Sequence, residues 1–143
     1  MKRHTDALKA RLETIPALAT KTFITLARYQ YPDGDKVVSA PYVVIHPSDG
    51  TPTQERVTGP RITEHPRFTI HSVGEDYDQT AFIAELVKGA LIVDGRPIPL
   101  DVPGETCQGL FWQAPVPIQV DADTSPPTVF HIAEVGWTAQ PKP

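Results

Sequence analysis

A single cysteine, Cys107, stands among 143 residues, so no disulfide can close within the chain and no multi-thiol zinc site can form. Long apolar runs are missing too. The longest, Tyr42-Val43-Val44-Ile45 and Ala90-Leu91-Ile92-Val93, fall far short of the ~18 residues that cross a bilayer. Met1-Lys2-Arg3-His4 leads into an amphipathic stretch rather than an apolar one, which does not read as a secretory signal; the expectation is a soluble intracellular protein. The motifs of common enzyme classes are also absent. There is no GxxxxGK[ST] phosphate loop, no GxGxxG dinucleotide turn, no GxSxG elbow and no HExxH or HxH pair.

Proline, by contrast, is in excess. Its 16 residues are about twice average usage, and proline interrupts both helices and central strands, so the elements must be short and long coiled coils are excluded. With 40% apolar and 21% charged residues, wholesale disorder is excluded as well. The length predicts one domain over residues 1–143.

The net charge of −4 argues against a duplex-binding surface, which needs clustered Lys and Arg. Its distribution is uneven. Residues 1–71 carry ten basic and seven acidic side chains, a balance of +3, whereas residues 72–143 carry three and ten, a balance of −7. Such polarity suits head-to-tail self-association, or is simply an unevenly solvated surface.

Hydrophobic periodicity predicts an α+β fold. A short helix at about 5–14 places Leu8, Leu12 and Ile15 on a narrow stripe, with Thr5 or Asp6 as cap and Pro16 as stop. Residues 22–29 read as a strand, with a helix continuing from residue 20 as the alternative, and Tyr42-Val43-Val44-Ile45-His46 as a central strand buried on both faces. A polar stretch at about 47–66 predicts a long loop or hairpin arm. Residues 67–73 alternate as a strand and lead into the main helix, about 75–91. Ser72 and Glu75 have capping-box spacing there, and Phe82, Ile83, Leu86, Val87, Ala90 and Leu91 are expected to form its apolar face. A hairpin turning at Asp94-Gly95 and further strands at 109–112, 116–120 and 128–137 complete a single mixed or antiparallel sheet packed by two helices. Residues 138–143 are expected to be a flexible tail.

Chemistry is thinly represented. His46, His65, His71 and His131 could gather from neighbouring strands, but none has a companion at ligand spacing. Asp121-x-Asp123-x-Ser125 imitates the opening of a calcium loop, yet Pro126 replaces the required glycine and Ile132 the bidentate glutamate. Cys107 has no local histidine and reads as a packing residue. No catalytic, cofactor or metal residue is assigned.

The order of elements resembles that of the tail terminator, or tail completion, proteins of long-tailed bacteriophages, the group that includes the lambda-type minor tail protein U. The resemblance rests on the leading helix around Leu8 and Leu12, the Pro41-Tyr42-Val43-Val44-Ile45 strand, the polar excursion, and Arg67-Phe68-Thr69-Ile70-His71-Ser72 running into the 81–91 helix. The Asp94-Gly95 hairpin and the finish Ala133-Glu134-Val135-Gly136-Trp137 complete it. It is a likeness of layout over nearly the whole chain, without a diagnostic motif.

It implies a virion protein, assembled in the host cytoplasm, that forms a homo-oligomeric, hexameric ring without enzymatic activity or cofactor. Such a ring caps the tail-tube protein, ends tail growth and joins the head–tail connector or stopper, while DNA passes through the lumen without specific binding and no membrane is involved. Contacts between subunits or rings are expected on the arm and on the 121–127 loop, at Asp49, Thr51, Gln54, Glu55, Arg56, Arg61, Asp121 and Asp123. The alternatives are a head-completion or stopper protein of the neck, a small metal-dependent enzyme built on His46, His71 and His131, and a generic ligand-binding module.

Overall fold

The structure is a computed structural model that describes residues 2–31, 34–48, 53–54, 62–123 and 127–142. The elements follow in the order α1 (Lys2–Glu13), a 3₁₀ turn (Pro16–Leu18), β1 (Thr22–Ile24), β2 (Arg28–Tyr31), β3 (Gly34–Val37), β4 (Tyr42–Ser48), β5 (Thr53–Gln54) and β6 (Ile62–Thr63). Then come β7 (Arg67–Gly74), α2 (Tyr77–Leu91), β8 (Ile92–Val93), β9 (Arg96–Pro97), β10 (Glu105–Gln113), β11 (Gln119–Asp121) and β12 (Thr128–Pro141). The fold is α+β, a mixed six-stranded sheet in the order β1-β4-β7-β12-β10, with β11 also paired to β12. Only β1 and β4 run parallel; the other pairs within this sheet are antiparallel.

Both helices pack on one side of this sheet. The register sets Val43 beside Ser72, Ile45 beside Ile70, and Phe68 beside Val135, and strand alternation sends these residues to the same face. There Val43, Ile45, Phe68, Ile70, Val135 and Trp137 form one buried cluster with Leu8 and Leu12 of α1 and with Ile83, Val87 and Leu91 of α2. Burying a side chain of that size stabilises the fold by about 1.5–3 kcal/mol, which holds a narrow-striped helix such as α1 in place.

Local chemistry sets the boundaries. α2 starts at Asp76, whose side chain accepts from the Gln79 backbone N–H, while the Gln79 side chain accepts from the Glu75 N–H. Ser72 is therefore not the cap; it is a buried residue of β7. α1 begins earlier than its caps implied, because Thr5 and Asp6 lie inside it. The expected strand over 22–29 is broken, since Thr25 turns at φ +67 and β2 begins only at Arg28. β8 and β9 meet at Asp94-Gly95, where both residues have positive φ, as a type I′ turn requires.

The C-terminal stretch differs from expectation. Thr138, Ala139 and Gln140 pair with Gln108, Cys107 and Thr106 of β10, so this part of the chain is sheet rather than a loose tail. Along the polar excursion, β4 extends to Ser48, and Thr53–Gln54 pairs antiparallel with Ile62–Thr63, as a hairpin arm would. The remaining expected contact positions of this arm, Asp49, Thr51, Glu55, Arg56 and Arg61, lie outside the described residues.

Candidate interaction face

Two features hold the chemistry-bearing side chains, one inside the helix layer and one on the bare side of the sheet. Inside, α1 brings His4 against Glu105 at the start of β10, Glu64 and Trp137 of β12. His4 is 1% exposed and Glu105 6%. The Trp137 indole N–H donates to His4 Nδ1 at 3.2 Å. Because indole can only donate, that nitrogen is the acceptor, which assigns the ring proton to Nε2. Nε2 in turn lies 2.9 Å from Glu105 Oε2 and 3.3 Å from Glu64 Oε2, at angles that make these close electrostatic contacts rather than straight hydrogen bonds.

Three ligand-type atoms within 4.8 Å of one another have the outline of a metal site. The tautomer does not fit one. A cation would need the Nε2 lone pair, but the indole leaves a proton there. The cluster is a latch instead, tying the first turn of α1 to β10 and β12. Cys107, in the next layer of β10, is similarly unreactive: its thiol is pushed up to about 11, first by burial and then by Glu105 and Asp101. His4 drew no attention as a functional candidate in the sequence, although it shares the stripe of Leu8 and Leu12 at four-residue steps.

Among the described residues no helix packs on the opposite side of the sheet, where Val44 and Val73 are buried among half-buried Tyr42, His46, His71, Phe130 and Ile132. Here the register aligns Tyr42 with Val73 and Phe130, and Val44 with His71 and Ile132. The His46 and His71 rings lie 4.6 Å apart, and His71 stacks on Phe130 at 6.0 Å. Tyr42, His71, Phe130 and Asp121 border a depression of about 260 Å³. Burial and then Asp121 raise the Tyr42 phenol, so it stays a hydrogen-bond donor. Of the two expected contact acids on the 121–127 loop, Asp121 borders this face and accepts from the Asp123 backbone N–H, while Asp123 is exposed. Gln54 is placed only as a partner of Ile62.

The proposed histidine trio does not assemble. His131 pairs with Ser72, one residue out of phase with Ile132, and so points to the helix side, where it stacks on Trp112. His65 lies near Thr138. No family model and no curated protein matches this chain.

Further along the bare face, Ser48, Arg67, Thr69, Phe111, Gln113 and Glu134 line a second depression of about 410 Å³. Arg67 reaches across it, its guanidinium carbon 4.6 Å from the centre of the Phe111 ring. Gly136 makes room for this arrangement. A Cβ at that position would come within 2.7 Å of both an Arg67 nitrogen and a Phe111 ring carbon.

Acid should weaken the fold through these rings. Burial, then neighbouring His46, lowers the His71 pKa from the ordinary 6.5, and burial alone lowers that of His131. Below pH 6.5 the unfolded chain therefore binds more protons than the native one, and stability is lost as pH falls through that value. Urea midpoints should drop between pH 7.5 and 5.5, and a His71→Gln, His131→Gln double variant should show a flatter dependence; an equal slope would contradict the assignment.

Proposed function

We propose that this chain is a structural ring subunit of the tail-terminator kind, which caps the tube of a phage tail and joins it to the head–tail connector. It works by the shape it builds with copies of itself and not by catalysis. The observation that carries the reading is a pair of unmatched surfaces on opposite sides of one small domain. On one side is the sheet face that no described helix covers, with half-buried Tyr42, His71, Phe130 and Ile132 at its surface. On the other is the outer stripe of α2, where Phe82 is 59% exposed between the exposed Asp78 and Glu85.

Apolar side chains left at the surface of one sheet face are what a partner would cover. Surfaces on opposite sides cannot satisfy each other within one copy, and between copies they generate a ring if the rotation closes. The acidic balance of −4 suits a lumen through which DNA must slide without being held. No helix among the described residues is long and apolar enough to cross a membrane.

Native mass spectrometry with negative-stain imaging tests the reading. The expected result is a closed ring of several 15.7 kDa subunits with a central hole, alone or on adding purified tail-tube protein. A strict monomer under both conditions would refute it, and binding only to portal-adaptor rings would transfer the chain to the neck stoppers.

A further inference from the structure

Resting on the ring reading above, we infer that the subunit contact is heterologous: the outer stripe of α2 on one copy docks onto the helix-free sheet face of the next, with Phe82 entering the face and one of its acidic neighbours, Asp78 or Glu85, meeting Arg67. The occupant is a second copy of this chain.

Charge complementarity selects it. Arg67 lies over Phe111 in the space at Gly136, and among the described residues no carboxylate comes within ion-pair distance of it, Glu134 on the rim of the same depression included. On α2, Asp78 and Glu85 are exposed and equally without a cation among the described residues. A guanidinium stacked on a ring still offers its N–H fork to a carboxylate from outside. The spacing fits as well. Positions 78, 82 and 85 recur at four- and three-residue steps on one helix face and span about 10 Å. Along β7, Arg67 and His71 are four residues apart, about 13 Å. Arg67 marks one depression and His71 the other. With Phe82 over the His71–Phe130 floor, an acidic neighbour on the same helix face lies within the reach of an arginine side chain.

A heterologous contact makes a sharp prediction about mixtures, because each interface needs one intact stripe and one intact face. Phe82→Ser removes the stripe and Arg67→Glu the face. Both positions are exposed, and circular dichroism with urea melts checks that each variant stays folded. Alone, each variant should stay monomeric at concentrations at least tenfold above those at which the wild type closes rings. Mixed in equal amounts, they should form dimers and nothing larger, since the intact face of Phe82→Ser can take the intact stripe of Arg67→Glu once only.

Rings from either variant alone, or a mixture that stays monomeric, would overturn the inference while wild-type rings leave the ring reading standing. Phe82→Ser rings of normal size that no longer bind tail-tube protein would assign the stripe to that partner and overturn it too. A wild type that never assembles removes both.

Discussion

Gly74→Ala is expected to lower the stability of the monomer by about 3 kcal/mol, at the upper end of ordinary overpacking. Gly74 ends β7 directly beneath the first turn of α2. A Cβ there would lie 2.5 Å from Thr80 Oγ1, 2.8 Å from its backbone nitrogen and 3.1 Å from its Cα. Thr80 cannot give way, since it is fully buried and its hydroxyl bonds the carbonyls of Asp76 and Val129. The methyl must therefore lift the helix from the sheet and disturb the cap at Asp76.

The other glycines supply the controls. At Gly136 the collision is with side chains that can move, so alanine there should cost less while displacing Arg67. Gly89, on the exposed side of α2, has nothing within 4 Å, and alanine there should stabilise by up to about 1 kcal/mol. Urea denaturation of the three variants measures the series. A Gly74→Ala midpoint equal to wild type would mean that α2 is not seated on the sheet as described.

The α+β class, both helices, the central strand and the Asp94-Gly95 hairpin were legible in the sequence, because each rests on a local pattern of residue spacing or turn chemistry. The errors have physical causes. Phe82 was counted with the apolar face of α2, but at about 100° per residue it points roughly 170° away from the arc of Thr80, Ala84, Val87 and Leu91. Adjacent apolar residues such as Phe82 and Ile83 cannot both face the core, and the exposed one marks a surface. The trio of His46, His71 and His131, named only as an alternative to half-buried strand histidines, does not gather, because strand parity depends on which residues pair, and pairing of β7 with β12 is not written in either strand alone. The C-terminal residues were expected to be loose because their neighbours in β10 lie some thirty positions earlier in the chain. The latch was invisible for the same reason: His4 meets Glu105 across a hundred residues, and only the fold brings them within 2.9 Å.

That latch gives the second large effect, in which removing one partner should be worse than removing both. His4→Leu keeps the apolar stripe of α1 but leaves Glu105, 6% exposed, facing a hydrocarbon instead of an N–H, with only the Arg3 guanidinium at 3.8 Å to balance it. Stranding a buried acceptor costs about 1–3 kcal/mol and more when it is charged, and the nearby Arg3 should hold the loss to about 3. The double variant His4→Leu, Glu105→Leu removes the stranded charge along with its partner. It should recover most of the loss, because apolar groups of similar volume replace a buried pair at little cost. Urea midpoints of wild type, both single variants and the double variant give the coupling directly. The same measurement separates a latch from a metal centre. With a proton on Nε2, wild-type stability should be the same in EDTA as in zinc, whereas a midpoint that rises with zinc and is lost in His4→Leu would show that the imidazole offers a lone pair after all.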